Sequence, residues 1–462
     1  MVSPALTAAA SVHPPVSGSA AVRVVSTSLT EFRGPPGSNP AARFPEAVIV
    51  GYAKSDLVEI QRFTRQGDGE EVVIGLPVGN VFLALPTEAL EILDSLSSGK
   101  TVGEAQREFV SAHGVEPDID DLLQCLEQRG FVRLRGRDVA ERPLAPGVPG
   151  GAGESVRYHF AYIPQSIAKR FFGPFPLALY LSTITVALVV AVAHPSLIPG
   201  RSSLVFADHR TLKILALSFV VYATLFLHEF AHLLAAKAQG VDSRIGFSHR
   251  LWILVAETDM TGLWAVPSRQ RYLPVLAGPL LDSFSAAVLL LLLYAQGEVG
   301  FTLAPPVEQF FRAMIFTYLF RLLWQCCLFV RTDFYYVITN FFGCKSLMKD
   351  TEVFVKNLML RLARSTKVTD QTHIPWRERR VIRMYSLLWI LGRGVALFSL
   401  FFISLPVLFQ YLSSALLALR RGYGGSHYQY FDSVAVGALN LVPLIIGLSL
   451  WITSLVRKRR IN

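Results

Sequence analysis

Charged residues are scarce in this sequence, and so are cysteines. Asp, Glu, Lys and Arg make up 17% of the 462 residues, whereas 52% are hydrophobic and the mean hydropathy is +0.41. This balance is too apolar for an ordinary soluble multidomain protein and predicts a membrane protein. The four cysteines show no C-x-x-C spacing, which argues against both a thiolate metal cage and a disulfide framework. We therefore expect reduced, structural cysteines.

The basic residues lack the single solvated patch that is typical of nucleic-acid-binding proteins. Lys plus Arg number 44 against 34 Asp plus Glu, which gives a formal net charge of +10. The basic side chains gather beside the ends of apolar segments, where anionic lipid head groups and the positive-inside rule account for them. We predict the lipid bilayer as a partner and no nucleic acid.

Residues 1–45 are rich in Ala, Ser, Val and Pro and contain almost no acid. They lack the compact apolar core and the cleavage pattern of a secretory signal. We predict a disordered segment. An organelle transit peptide has a similar composition and stays open as the alternative.

Residues 46–137 have the pattern of a small soluble domain. Strand-like pieces occur at Ala47–Tyr52 and near Val72 and Val81. Apolar residues then recur at helical spacing, namely Leu85, Ala89, Ile92, Leu93 and Leu96. Two further helices are predicted by their caps, Thr101 and Asp118, and alternation resumes at Phe131–Leu134 after Gly130.

This domain resembles the PqqD-like recognition domains of systems that process ribosomally made peptides. The resemblance covers about ninety residues and rests on element order and on the pattern L-x-x-L-x-x-G-x-T-V-x-E within Ile92–Glu104. It implies capture of the leader part of a precursor peptide. Any other small winged-helix-like module is the alternative.

A linker over residues 138–168, with a Pro/Gly-rich stretch at Pro143–Gly153, precedes a membrane domain over residues 169–462. A spanning helix needs about 20 apolar residues. Six segments meet this requirement: Pro174–Ala193, Leu212–Ala238, Leu273–Tyr294, Phe310–Val330, Tyr385–Gln410 and Val434–Val456.

Basic residues flank these segments on one side of the predicted membrane. They are Lys169 and Arg170, those of Arg244–Arg271, those of Arg331–Arg383, and Arg457–Arg460. The positive-inside rule then places both termini in the cytoplasm. We predict an integral protein of the bacterial inner membrane.

The second predicted span carries an H-E-x-x-H motif, His228 to His232. Positions i and i+4 share one face of a helix, so both imidazoles can bind one Zn²⁺ ion while Glu229 acts as general base on a water molecule. Ionisable groups in a spanning helix cost about 2.5–3.5 kcal/mol on the insertion scale and usually mark function. Polar groups that merely pack inside a helical bundle are the alternative.

Catalytic zinc sites have three protein ligands and keep a fourth position for water. Asp333 follows the fourth predicted span directly. Because successive spans alternate in direction, the second and fourth spans end on the same side of the membrane. This arrangement brings Asp333 towards His228 and His232. A solvated charge beside the membrane is the alternative, and topology alone leaves both open.

Three passages resemble the site-2 protease family of intramembrane zinc metalloproteases, in the branch associated with peptide and bacteriocin maturation. They are H-E-F-A-H at His228–His232, L-A-G-P-L-L-D at Leu276–Asp282 and R-T-D-F-Y-Y at Arg331–Tyr336. The stretch Thr258–Trp264 also resembles a passage that this branch carries. The resemblance covers most of 212–347. It implies zinc ligation by His228, His232 and Asp333, with Glu229 as the catalytic residue.

The chain departs from the family's N-x-x-P-x-x-x-x-D-G pattern around Asp333. Gln325 replaces the asparagine, Leu328 stands at the proline position and Phe334 replaces the glycine. The carboxylate ligand is kept, so metal binding by Asp333 is still expected. We predict that Gln325 takes over the substrate-binding amide role.

Other polar residues in the spans have structural explanations. We expect Arg321 and Arg393 to be paired buried charges that orient helices. Asp282 stands where the family often has Asn, which predicts a structural hydrogen bond to the loop. Gly278 and Pro279 are expected to allow a tight helix entry through close packing and a missing amide.

The expected fold is therefore mainly α. It is a polytopic membrane bundle of about six transmembrane helices with a small α+β winged-helix-like N-terminal domain. The resemblances imply a zinc metalloendopeptidase that cuts a peptide or membrane-protein substrate near the cytoplasmic face, most naturally a ribosomally made precursor. Regulated intramembrane proteolysis of a membrane-tethered regulator and a non-catalytic scaffold or immunity protein are the alternatives. The sequence makes no prediction of oligomeric state.

Overall fold

A computed structural model describes most of the chain. The described residues are 23–24, 52–68, 71–76, 81–135, 160, 162–204, 210–251, 253–298, 302–344, 346–364, 367–371, 374–406 and 441–453, with the single positions 409, 413, 416, 417, 420 and 456. They fall into two compact units, the first ending at Arg135 and the second beginning at Phe160. The predicted Pro143–Gly153 stretch lies outside the described residues.

The first unit combines short strands with three helices. Its elements are β1 (Arg23–Val24), β2 (Val58–Ile60), β3 (Thr64–Asp68), β4 (Glu71–Leu76), β5 (Val81–Pro86), α1 (Thr87–Ser97), α2 (Val102–His113), α3 (Ile119–Gln128) and β6 (Val132–Leu134). One antiparallel sheet has the strand order β1-β5-β4-β3, and β2 pairs with β6 separately. The predicted strands near Val72 and Val81 are confirmed as β4 and β5, whereas the winged-helix-like arrangement stays a prediction.

Local capping explains where the helices of this unit begin. Thr101 accepts a hydrogen bond from the amide of Glu104, whose side chain accepts one from the Thr101 amide, and together these form a capping box at the start of α2. Asp118 caps α3 in the predicted way. One boundary prediction was wrong. Leu85 belongs to β5, because the backbone stays extended through Pro86, the last residue of that strand, and α1 begins only at Thr87.

The core of the first unit joins the sheet to one face of each helix. Ile74, Leu83 and Leu85 from the strands pack with Leu93, Leu96, Leu123 and other helical residues, all almost fully buried. Arg23–Val24, within the segment predicted to be disordered, pair with Leu83 and Ala84. The rest of 1–45 lies outside the described residues, and the disordered segment stays a prediction.

In its described residues the second unit is helical apart from one hairpin. Its elements are α4 (Gln165–Phe171), α5 (Pro174–Ala193), α6 (Arg210–Ala238), β7 (Arg244–Arg250), β8 (Ile253–Asp259), α7 (Ser268–Glu298), α8 (Pro305–Trp324), α9 (Asp333–Phe342), α10 (Leu347–Leu362) and α11 (Trp376–Ser399). Short 3₁₀ turns lie at Pro195–Leu197, Arg201–Leu204 and Thr261–Ala265, and a π-helical turn follows α11 at Leu400–Ser404. The start of α4 lies inside the predicted linker.

Four helices in the described part of the chain are long and apolar enough to cross a membrane. They are Gln165–Ala193, Leu215–Ala238, Ser268–Gln296 and Trp376–Phe402. They match the first, second, third and fifth predicted spans. Helix α8, the fourth predicted span, carries Glu308, Arg312 and Arg321 within 20 residues, and the described part of the sixth is the shorter helix Leu441–Thr453. These two spans stay predictions, and Arg457–Arg460 lie outside the described residues.

Helices α6, α7 and α8 pack side by side. Helix α6 carries the buried polar residues His228, Glu229 and His232, and α7 carries Arg271 and Asp282. The β7–β8 hairpin follows α6 and packs back against it. The buried Arg271 donates hydrogen bonds to the carbonyls of Leu263 and Val266, which holds the 3₁₀ turn after the hairpin against the start of α7. The hairpin is thereby fixed beside the H-E-x-x-H helix.

Candidate metal centre

Three buried side chains converge from two elements that are a hundred residues apart in sequence. His228 and His232 lie one turn apart on α6, and Asp333 begins α9. The two Nε2 atoms are 3.2 Å apart, and Asp333 Oδ2 lies 3.2 Å from His228 Nε2 and 3.4 Å from His232 Nε2. Ligands about 2.0–2.1 Å from a tetrahedral zinc ion are separated by roughly 3.3–3.4 Å. The three atoms therefore form a group that could bind a metal ion.

The hydrogen bonds of the two Nδ1 atoms support metal binding by the Nε2 atoms. His232 Nδ1 lies 2.7 Å from the carbonyl oxygen of Pro274, and His228 Nδ1 lies 2.8 Å from Asp282 Oδ2. A carbonyl can only accept, and a carboxylate is an acceptor when ionised, so both Nδ1 atoms donate. In the neutral imidazoles both Nε2 lone pairs then face Asp333. Three electron-rich atoms at this separation repel unless a cation lies between them, and this is how metal-binding histidines are usually held.

Gln325 and Thr332 hold the third ligand in place. Gln325 Nε2 donates to Asp333 Oδ2 over 2.8 Å, and Gln325 Oε1 accepts from the Asp333 amide over 2.9 Å. Thr332 caps α9 through the amide of Tyr335 and donates its hydroxyl to the Gln325 carbonyl. Both polar atoms of the Gln325 side chain thus bond Asp333. The predicted substrate-binding role of Gln325 stays a prediction, whereas its role in positioning the carboxylate is visible.

Asp333 is buried, and its ionisation is settled by its neighbours. Burial alone would raise the pKa of this carboxyl, whereas positive charge beside it, on protonated imidazoles of His232 and His228, holds the pKa below its ordinary value. With neutral imidazoles, a bound metal cation would supply that positive charge instead. An ionised carboxylate is the form that binds a metal.

Glu229 lies between the two histidines in sequence and is also buried. The hydroxyl of Thr258 on β8 is 2.9 Å from Glu229 Oε2 and 2.8 Å from the Glu229 carbonyl oxygen. The Thr258 hydroxyl thus contacts both the backbone and the side chain of Glu229 and fixes the position of this carboxylate. Sequence reasoning noted Thr258 as part of a family-like stretch and did not foresee this contact.

Asp282 was predicted to bond the loop, and that prediction was wrong. Its Oδ2 accepts from His228 Nδ1, and its Oδ1 lies 2.9 Å from Nη2 of Arg321 on α8. The Asp282 side chain lies between helices, because this residue is on the side of α7 that faces His228 on α6. Asp282 thus orients His228, and the predicted pairing of Arg321 is confirmed. The Arg393 guanidinium instead lies over the Trp389 ring, 5.1 Å from its centroid.

Gly278 on α7 lies directly against the two imidazoles. A Cβ atom built on Gly278 would lie well inside 3.0 Å of the Nε2 atoms of both His228 and His232. The expected close packing at this glycine is confirmed. Its lack of a side chain leaves room for the two rings to turn their Nε2 atoms towards Asp333.

We expect Gly278→Ala to lower metal affinity by at least about tenfold, because the new methyl group must push one imidazole out of its orientation. Zinc affinity measured by competition with a chelator checks this result. Gly394→Ala on α11 is the matched control, since a Cβ there meets nothing within 4 Å. Equal zinc affinity in the two variants would show that α7 does not shape the site.

Comparison of this chain with protein-family models, curated protein sequences and solved structures found no match. The site-2 protease and PqqD-like resemblances therefore stay predictions. The fold and the site define a class of protein without these resemblances. The chain is a membrane-compatible helical protein with a buried His-His-Asp group that could bind a metal ion.

Proposed function

We propose that this protein is a membrane-embedded zinc metalloendopeptidase. The observation that carries the proposal is the convergence of His228, His232 and Asp333 beside a buried glutamate on the same helix. Two imidazoles and one carboxylate leave a fourth position open, which is the composition of catalytic zinc sites. A structural zinc site would instead fill all four positions with protein ligands.

The proposed reaction is hydrolysis of a peptide bond. His228, His232 and Asp333 would hold a Zn²⁺ ion, which when bound would polarise the scissile carbonyl and make a water molecule acidic enough to attack at neutral pH. Glu229 takes the proton of the attacking water on a carboxylate oxygen and passes it to the leaving amine. Thr258 holds that carboxylate, and Asp282 and the Pro274 carbonyl keep the imidazoles turned towards the ion.

A non-catalytic scaffold is the less favoured alternative, because it would not require a buried glutamate positioned by Thr258 next to the two histidines in sequence. Ionisable side chains are costly within spanning helices. His228, Glu229 and Asp282 all lie within helices long and apolar enough to cross a membrane.

Removal of the metal tests the proposal. The purified chain is incubated in detergent with quenched fluorescent peptides, some with and some without an apolar segment of spanning length. We expect chelation to stop cleavage and added zinc to restore it, because the ion supplies both the polarised carbonyl and the acidic water. Cleavage that persists after the zinc is gone would refute the proposal. A requirement for the apolar segment would favour a membrane-tethered regulator over a soluble precursor.

For the membrane arrangement we propose six spans with both termini in the cytoplasm of a bacterial cell. Helix α8 has 20 residues, and its charges are partnered: Arg321 pairs with Asp282, and Arg312 pairs with Glu308. Paired charges that face a bundle interior are tolerated in membranes. With α8 as a span, the ends of α6 and α8 lie at the same face, which fits the position of Asp333.

We further propose that the first unit captures the leader of a ribosomally made precursor peptide. Among the described strands β3 lies at the edge of the sheet, and an extended peptide can add to such an edge through backbone hydrogen bonds. Binding there raises the effective concentration of the substrate at the membrane unit.

Deletion of residues 1–137 tests leader capture. We expect the KM for a leader-bearing peptide to rise by about tenfold or more, with kcat unchanged, because the deleted part contributes only to substrate concentration. The same peptide without its leader is the control and should show no change in KM. An unchanged KM for the leader-bearing peptide would rule out capture by this unit.

A further inference from the structure

Four side chains line a half-open surface depression of about 260 Å³ at the beginning of α11, namely Trp376, Arg379, Arg380 and Arg383. We name it the arginine pocket. The spacing i, i+3, i+4 and i+7 puts all four on one face of the helix. All four residues are exposed. The metal centre uses none of them.

Two of the guanidinium groups are held in place by contacts within the unit. Arg379 Nε donates to the carbonyl oxygen of Ile374 over 2.6 Å, and Ile374 is buried in the core between α9, α10 and α11. The Arg380 Cζ atom lies 5.1 Å from the centroid of the Trp376 ring, which is within cation–π distance. The wall of the pocket is therefore attached to the packed core.

The chemistry of the pocket matches a phosphate group. The first two turns of α11 carry four arginines against one glutamate, Glu378, and no lysine. Arginine presents a planar fork of donors that fits phosphate oxygens in pairs, which a lysine ammonium does not. The depression is open on one side and does not enclose a drug-sized ligand, so a small anionic group suits it better.

The position of the pocket indicates where the phosphate comes from. Helix α11 belongs to the segment Trp376–Phe402, which is long and apolar enough to cross a membrane, and the pocket lies in its first two turns. Trp and Arg at the end of a spanning helix lie at the level of the lipid head groups. The positive-inside rule alone requires positive charge there, but it requires neither a single face nor a surface depression.

We propose that the arginine pocket binds the phosphate of an anionic phospholipid head group. Bound lipid would join the start of α11 to the surrounding leaflet and so hold the core that contains Tyr335 and Tyr385. That core packs next to the loop that carries Asp333, since the Tyr385 hydroxyl donates to the Leu328 carbonyl. The proposal does not depend on the proteolytic function.

The test uses the full chain, purified in a neutral detergent and freed of lipid. It is titrated with phosphatidylglycerol, with phosphatidylcholine and with inorganic phosphate, and bound lipid is counted by native mass spectrometry. The pocket variant replaces Arg379, Arg380 and Arg383 with Gln. The matched control replaces Lys356, Arg361 and Arg364, exposed basic residues in and just after α10, with Gln and so removes the same charge.

We expect wild type and control to bind phosphatidylglycerol and to prefer it over phosphatidylcholine. The pocket variant should bind it about a hundredfold more weakly, at about fivefold per arginine. Equal loss in both variants would mean a diffuse charge effect and would overturn the proposal, as would an absence of preference in wild type. Inorganic phosphate that displaces the lipid at low concentration would overturn the lipid assignment. If the Gln variant does not fold, the corresponding Lys variant replaces it, with an expected loss of about tenfold.

Discussion

Glu229→Gln is expected to abolish peptide hydrolysis and to leave zinc bound. The amide has nearly the shape of the carboxylate but cannot accept a proton from the attacking water. General base catalysis contributes about 10²–10⁴ in rate, so the turnover number should fall by at least about a hundredfold. The three groups at the metal position are unchanged in this variant, and zinc content should stay at the wild-type level. Turnover is followed with the quenched peptides, and zinc is measured by elemental analysis.

The control for this variant is Glu308→Gln on α8. Glu308 forms a half-exposed ion pair with Arg312 and lies far from the H-E-x-x-H motif in sequence. This variant makes the same chemical change and should keep its activity. Normal proteolysis by Glu229→Gln would exclude Glu229 as the base. Loss of zinc together with activity would show instead that Glu229 holds the metal group together.

Asp333→Asn is expected to release zinc from the protein. The amide oxygen is a much weaker ligand than a carboxylate, and two imidazoles alone leave the ion held by too few donors. Loss of an outer partner already costs about 10–100-fold in metal affinity, so loss of a ligand should cost more than about a hundredfold. Competition with a chelator of known affinity measures this change. Cleavage should be lost in parallel.

Asparagine is preferred to alanine at this position because it can still bond Gln325, which keeps the loop before α9 in place. Asp242→Asn is the matched control, since Asp242 is an exposed partner of Lys237 just after α6. An unchanged melting temperature in both variants would show that folding is preserved. If Asp333→Asn keeps one zinc per chain at wild-type affinity, Asp333 is not a ligand and the proposed centre is wrong.

Local patterns in the sequence predicted many of the helices and their boundaries correctly. The caps at Thr101 and Asp118 were predicted correctly because capping depends on residues within one turn of each other. The shared face of His228 and His232 follows from helical periodicity in the same way. Four of the six predicted spans match described helices that are long and apolar enough to cross a membrane, because membrane thickness sets a length that can be read from composition.

Contacts between helices were predicted less well. Asp333 was placed near the histidines by the alternating direction of spans, which fixes a side of the membrane but not a distance. Asp282 was assigned the wrong partner, and the bond from Thr258 to Glu229 was not foreseen. Both contacts depend on how far α7 and the hairpin are rotated and shifted against α6, and no short-range pattern records that.

The sequence by itself determined that this is a membrane-compatible helical protein with an H-E-x-x-H helix and a carboxylate available as a third donor. Only the tertiary structure decided that the three donor atoms lie within 3.4 Å of one another, that both Nδ1 atoms are turned outwards to acceptors, and that Gly278 leaves room for the rings. The reason is physical. Periodicity and length act along one helix, whereas the depth and rotation of neighbouring helices result from the packing of all of them together.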